Sequence, residues 1–296
     1  MALMQALQGP DGVIAPGVYD ALTALLAEQA GFSAAYISGA SVSYTLLGRP
    51  DLGFVSLSQL AEAVERMRQR VTIDLIVDAD TGFGNALNVI HTTRMLERAG
   101  ASAIQLEDQK MPKRCGHLGG KQLVTAAEMV GKVKAATDAR TSEDTLIIAR
   151  TDGIAVEGLN AALDRAMAYK EAGADILFVE APQSAEDMTL IVKTFDGTIP
   201  LLANMVDGGD PAVHNASALH KAGYSLVITA GSLTRAMAFA ADQLLHQLRK
   251  AGTTAACSEK MFSFAGLNQR IGLPEMLARS VSYASDAVEI QDQENK

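Results

Sequence analysis

Three acidic residues stand where chemistry could be done. Asp78 closes the apolar run that begins at Leu75, Asp80 follows two residues later in DADTGFGN, and Glu107 closes AIQLE. Arg150, Glu180 and Asn204 each end a further short apolar run. Carboxylates drawn together in a folded interior cost free energy unless a cation or a proton compensates them. No cluster of lysines is placed to neutralise Asp78, Asp80 and Glu107. A hard divalent cation would do so, and Mg²⁺ prefers oxygen ligands while keeping waters that a substrate can displace. One Asp alone would as readily cap a helix N-terminus; three acids at neighbouring run ends favour a metal. The five histidines, His91, His117, His214, His220 and His246, show no paired ligand spacing, which argues against zinc.

A second constellation is the segment KRCGHLGGK, Lys113 to Lys121. Basic neighbours stabilise a thiolate, so Cys115 is expected to have a lowered pKa. Gly116, Gly119 and Gly120 give this stretch conformational freedom, which suits a lid carrying an acid–base group. Cys257 has no such company and is expected to be inert. GFGN lacks the G-x-G-x-x-G spacing of a dinucleotide site, and neither a Walker-A loop nor a G-x-S-x-G elbow occurs.

Elements that would position these residues are marked by a nine-residue pattern found four times: AGFSAAYIS (30–38), AGASAIQLE (99–107), AGADILFVE (172–180) and AGYSLVITA (222–230). Each copy follows a helix-like stretch. Its Gly sits where a helix C′ residue turns left-handed, and the apolar run after it reads as a strand buried on both faces. Further strands are expected at 13–16, 75–78, 146–150 and 200–203. Helices are expected at 57–70, 88–99, 126–139, 159–172, 184–194 and 233–251. Eight such units predict a single (β/α)₈ TIM-type barrel over residues 1–252, with its active site at the C-terminal ends of the strands. Residues 253–296 form a helical extension with an apolar patch, Met261, Phe262, Phe264 and Leu267, a helix near 274–283 and a polar end expected to fray.

Composition narrows the function classes. The chain has 296 residues, 48% of them apolar, and a formal net charge of −9. That charge disfavours a nucleic-acid binder, which usually carries a basic face. No apolar run approaches membrane-spanning length, and no secretory leader is recognisable. Two cysteines are too few for a disulfide framework. These features point to the cytoplasm and to a small-molecule substrate.

GVYDALTA (17–24), SGASVS (38–43), GRPDLG (48–53), DADTGFGN (78–85), LEDQ (106–109), KRCGHLGGK, ARTD (149–152) and ANMVDGG (203–209) together resemble the isocitrate lyase/phosphoenolpyruvate mutase superfamily. The resemblance implies a Mg²⁺-dependent barrel, with Mn²⁺ able to substitute. It also implies a C-terminal helix swapped between subunits in a homotetramer, a dimer of dimers. Asp78, Asp80 and Glu107 would be the metal shell, with Asp51 in the same network. Ser38, Gly39 and Ala40 would hold one substrate carboxylate, with Tyr19 and Gly116 also at the substrate. Arg150 would bind a second carboxylate, and Glu180 and Asn204 would line the distal pocket.

Cys115 and His117 would be the catalytic pair, since the C–C lyases of this superfamily carry a thiol in that loop. The implied reaction cleaves a 2-hydroxy di- or tricarboxylate, of the 2-alkylmalate or methylisocitrate type, in the reverse-aldol sense. Its products are a 2-keto acid (pyruvate or glyoxylate) and a carboxylic acid, with Cys115 as general acid. Carboxyphosphonoenolpyruvate phosphonomutases keep a very similar loop and are the alternative reading. Oxaloacetate hydrolases usually offer a Ser at the position of Ala230, which counts against that activity, and oxaloacetate decarboxylases generally lack the thiol of Cys115.

Overall fold

A computed structural model describes residues 2–114, 119–205 and 215–294. The repeated AG turns behave as their sequence demands. Gly31, Gly100, Gly173 and Gly223 all take positive φ, between 90° and 112°. In each turn the next residue donates its N–H to the carbonyl five positions back: Phe32 to Ala27, Ala101 to Leu96, Ala174 to Tyr169 and Tyr224 to Leu219, at 3.0–3.2 Å. This is the closing bond of a Schellman motif, which satisfies a helix-end carbonyl and turns the chain back along the helix.

The strands that follow these turns, and those between them, are β1 (Val13–Val18), β2 (Ala34–Ile37), β3 (Asp74–Asp78), β4 (Ala103–Glu107), β5 (Leu146–Thr151), β6 (Ile176–Val179), β7 (Leu202–Asn204) and β8 (Leu226–Thr229). All pair in parallel in the order β6-β5-β4-β3-β2-β1-β8-β7. The ring is closed by Leu177, whose N–H donates to the Pro200 carbonyl at 3.0 Å beside β7. The helices are α1 (Ala2–Leu7), α2 (Ala21–Gln29), α3 (Gly39–Val42), α4 (Leu57–Arg68), α5 (Ala86–Ala99), α6 (Ala126–Ala139), α7 (Ile154–Glu157), α8 (Leu159–Glu171), α9 (Ala185–Phe195), α10 (Ala216–Ala222), α11 (Ser232–Ala251), α12 (Phe264–Arg270) and α13 (Leu273–Glu294). None is long and apolar enough to cross a membrane.

Strand side chains alternate between two apolar shells, as a period of two requires. Leu75, Val77, Ile104, Leu106, Ile147, Ala149, Leu177 and Val227 pack outward in the larger cluster, which takes in the helices. Ala34, Tyr36, Ile76, Ala103, Leu146, Ile148, Ile176, Phe178, Leu202, Leu226 and Ile228 fill the barrel interior. Leu3 and Leu7 of α1 join that inner cluster. Continued to the rim, the inward series of seven of the eight strands reaches Ser38, Asp78, Glu107, Arg150, Glu180, Asn204 and Ala230. Six of the expected site residues, Ser38, Asp78, Glu107, Arg150, Glu180 and Asn204, therefore lie at the end of the inward-facing series.

The chain divides into two compact units, Met1–Ala236 and Met237–Lys296. The second contains most of α11 together with α12 and α13. It exposes Phe239, Leu245, Met261, Phe262, Phe264, Met276, Leu277 and Val281. The helix expected near 274–283 runs on to Glu294, so the polar end expected to fray is helical that far.

Candidate active site

At the C-terminal ends of the strands the barrel opens into a cavity of about 220 Å³. Tyr36, Phe178 and Ile228, inward residues one step below the rim, form its apolar base. Ser38, Ala40, Asp51, Asp78 and Glu107 line it, as do Arg150, Glu180, Asn204 and Ala230. Gly39 is not in the lining, but its backbone lies against the acids: an added Cβ would fall 3.2 Å from Asp80 Oδ1 and 3.4 Å from Asp78 Oδ2. Ser38 caps α3, its Oγ accepting the Ser41 N–H at 3.3 Å. The hydroxyl proton remains available to a ligand.

Asp78 is oriented from behind. Its Oδ1 accepts from Gln105 Nε2 at 3.0 Å and from the Asp80 N–H at 3.3 Å, while Gln105 Oε1 accepts from Tyr36 OH at 3.1 Å. Asp80 has a φ of 50°, a left-handed conformation that costs a non-glycine residue roughly 1–3 kcal/mol and is concentrated at functional sites. Burial pushes its carboxyl up to about 7, against the opposing charge of Lys113. Burial likewise raises the Glu107 carboxyl well above its ordinary range, although Arg150 opposes this. Glu107 Oε1 is buried without a hydrogen-bond partner among the described residues.

The sequence offered no cluster of lysines to neutralise these acids, yet one lysine, Lys113, reaches them. Its ammonium, 3% exposed, lies 2.5 Å from Asp51 Oδ1 and 2.7 Å from Asp80 Oδ1. Desolvation disfavours its charge, yet Asp80, Glu107, Asp78 and Asp51 together hold its pKa above the ordinary lysine value. The sequence placed Lys113 two residues before Cys115 and so suggested a role in tuning the thiol. Its reach into the acids depends on the path of the chain after β4, which no periodicity reveals.

Arg150 is clamped rather than free. Its Nε and Nη2 donate to Asp152 Oδ2 and Oδ1 at 2.9 and 3.0 Å, and its guanidinium carbon lies 5.2 Å from the Phe178 ring centroid. Lys121 Nζ donates to Asp152 Oδ1 at 2.8 Å. Burial would raise the Asp152 carboxyl, but the Arg150 charge and the bonds from Arg150 and Lys121 hold it at about 2. Sequence reading passed over Lys121 and Asp152 as site members, although ARTD and GGK contain them.

Among the described residues, no group of three or more His, Cys, Asp or Glu side chains forms a ready cation cage. Mg²⁺ does not require one, since it is usually held by one or two carboxylates with waters and substrate oxygens. The partnerless Glu107 oxygen and two carboxyls raised by burial are what a site short of positive charge looks like, so the donor set fits a hard cation. Tyr19 is buried in the main apolar cluster and is not among the cavity-lining residues. Cys115, Gly116 and His117 lie outside the described residues.

The chain is similar to proteins of known function. The family described as phosphoenolpyruvate phosphomutase matches residues 4–249. The chain is 42% identical over 274 residues to 2,3-dimethylmalate lyase of Eubacterium barkeri, covering 92% of this chain and 94% of the relative. It is 42% identical over 295 residues to 2-methylisocitrate lyase of Aeropyrum pernix, covering 100% and 94%. Among solved structures, oxaloacetate acetylhydrolase in complex with 3,3-difluorooxalacetate superposes with a TM-score of 0.89 at 29% identity, covering 95% and 96% of the two chains. Phosphonopyruvate hydrolase in complex with oxalate and Mg²⁺ superposes with a TM-score of 0.85 at 32% identity, covering 96% and 100%.

Proposed function

This chain belongs to the phosphoenolpyruvate mutase/isocitrate lyase superfamily, and from that premise we propose that it is a Mg²⁺-dependent carbon–carbon lyase of the cytoplasm. Its substrate is a 2-hydroxy di- or tricarboxylate of the 2-alkylmalate or methylisocitrate type, cleaved to pyruvate or glyoxylate and a carboxylic acid. The observation that carries this reading is the grouping of charges in the cavity. Buried carboxylates from neighbouring strands, two of them raised by burial, adjoin the clamped guanidinium of Arg150, whose Nε lies 3.3 Å from Glu107 Oε2, above an apolar base.

Asp78, Asp80 and Glu107 would hold the ion, Mg²⁺ or Mn²⁺, with Asp51 in the same network. When bound, the ion supplies Lewis acidity to the substrate's hydroxyl and adjacent carboxylate. Ser38, Gly39 and Ala40 bind one carboxylate. Arg150 receives the second, because a guanidinium matches it bidentately. Phe178, Met205 and Ile228 shelter the alkyl substituent, and Glu180 and Asn204 fix the distal end. Cys115 protonates the departing carbanion as general acid, and either His117 or a water-linked acid serves as the general base. Gly116, between Cys115 and His117 in sequence, would contact the substrate. Tyr19 supports the site from the core.

The test is a Mg²⁺-dependent assay for released 2-keto acid over dimethylmalate, 2-alkylmalates, methylisocitrate, isocitrate and oxaloacetate. One diacid is expected to turn over, with activity abolished by EDTA and kcat lowered about 10²–10⁴-fold in Cys115→Ala. Silence across the panel from protein that binds Mg²⁺ would favour the second reading, carboxyphosphonoenolpyruvate phosphonomutase. That reading draws on the phosphomutase family match and the likeness to phosphonopyruvate hydrolase. Turnover of oxaloacetate alone would favour a hydrolase or decarboxylase.

The extension, residues 253–296, is proposed to pack on a neighbouring subunit by helix swapping in a homotetramer. The support is its row of exposed large apolar side chains, more than an isolated soluble surface usually presents. Light scattering on the full chain should give four times the monomer mass.

A further inference from the structure

Behind the cavity wall lies a buried polar network that the proposed reaction does not use. Asp108 is 0% exposed and does not line the cavity. It follows Glu107, and successive strand residues face opposite ways, so its carboxylate meets α8 on the outer side of the ring. Asp108 Oδ2 accepts from Thr151 Oγ1 at 2.7 Å and from Tyr169 OH at 2.8 Å, with Arg165 Nη1 at 3.5 Å. Arg165 is itself fixed, its Nε and Nη2 donating to the two Glu157 oxygens at 2.6 and 2.7 Å. Asp108 Oδ1 accepts the backbone N–H of Asp152 at 3.0 Å.

The consequence is carried one residue further. Asp152 takes the side edge of the Arg150 guanidinium, Nε and Nη2. A guanidinium has a second bidentate edge, the end edge Nη1–Nη2. Nη1 of Arg150 makes no hydrogen bond to the described residues, and Nη2 lies 4.0 Å from Glu180 Oε1. Which edge faces a ligand therefore depends on where Asp152 sits, and Asp108 bonds to the Asp152 backbone.

We propose that Asp108, held by Tyr169 and Arg165, is a positioning residue that acts through Asp152 to present the end edge of Arg150 to a substrate carboxylate. This rests on the reading of Arg150 as a carboxylate binder. It assigns a function to α8 side chains that touch no ligand, and it makes diacid affinity depend on a phenol outside the cavity.

The experiment titrates the full-length protein, with Mg²⁺ present, with succinate, a dicarboxylate that has no 2-hydroxyl and so is not cleaved. Arg150→Lys is expected to weaken binding about tenfold or more, since Lys cannot offer two parallel donors. Tyr169→Phe and the near-isosteric Asp108→Asn are each expected to weaken it roughly 3–10-fold, the scale of one lost hydrogen bond. In the Arg150→Lys background, Tyr169→Phe is expected to change affinity less than about twofold, because coupled residues are not additive.

If Tyr169→Phe and Asp108→Asn lower the melting temperature but bind succinate as the wild type does, Asp108 only ties strand to helix and the proposal is wrong. Equal weakening by Tyr169→Phe in both backgrounds overturns it too. Succinate that binds wild type and Arg150→Lys alike, or binds neither, removes the carboxylate reading of Arg150 and this inference with it.

Discussion

The two ends of the barrel interior are built from the same eight strands and the same inward alternation, yet they are opposite in chemistry. Toward the N-terminal ends of the strands the inward positions are Val13, Ala34, Ala103, Leu146, Ile176 and Leu226, clustered with Leu3 and Leu7 of α1. At the C-terminal ends the same series terminates in Asp78, Glu107, Arg150 and Glu180, all buried. The first end stabilises the fold: burying a Leu or Ile side chain contributes about 1.5–3 kcal/mol. The second costs stability, because its acids are desolvated and incompletely paired. The difference teaches that this protein separates folding from chemistry along the strand axis, within one continuous register.

Substitutions that exchange the properties of the two ends should test this division. At the rim, Glu107→Gln is expected to cut turnover about 10²–10³-fold, the usual scale for losing one preorganised electrostatic group. Its melting temperature should equal or exceed the wild type's, because a neutral amide replaces a buried acid with a partnerless oxygen. A fall of several degrees in calorimetry would instead place Glu107 among the residues that hold the barrel.

At the apolar end, Leu226→Ala should cost about 2–5 kcal/mol of unfolding free energy in a urea titration. Its kcat/KM at a temperature where it remains folded should stay close to wild type. A large catalytic loss there would show that the two ends are mechanically coupled.

Between these extremes lies Asp152, a rim acid that is fully paired. Its folded pKa of about 2 is depressed below an unfolded value near 3.9. It therefore contributes stability that is present above pH ~4 and is lost as pH falls through about 2, on the order of 2 kcal/mol in all. The stability gap between wild type and Asp152→Asn should be widest near neutrality and narrow on acidification through pH 4 to 2. A gap that stays constant with pH would mean that Asp152 does not carry its charge into the fold.

The smallest effect is expected at an AG turn. Gly31 has a φ of 90° and open space around it, so Gly31→Ala tests backbone strain alone and should cost about 1–2 kcal/mol, with activity unchanged.

Much of this is legible in the sequence. The four AG copies predicted helix end, turn and parallel strand, and all four close with the same hydrogen bond. The period of two then carries Ser38, Asp78, Glu107, Arg150, Glu180 and Asn204 to one rim. In sequence Lys113 is a neighbour of Cys115; in the fold it is the cation between Asp51 and Asp80. Tyr19, assigned to the substrate by resemblance, is a core side chain outside the cavity lining. Asp108 adjoins Glu107 in LEDQ, although the two face opposite sides of the ring.

The sequence by itself determined the elements, their order and which face of each strand turns inward, because turn chemistry and side-chain period are local properties of a few consecutive residues. Only the tertiary structure decided which charges meet. Lys113 reaches Asp51 across 62 positions of chain, Asp108 meets Tyr169 across 61, and Asp152 takes one chosen edge of Arg150. Those pairings depend on where loops return and how strands register around a closed ring, and Coulomb and hydrogen-bond energies change steeply over the ångströms that such closure sets.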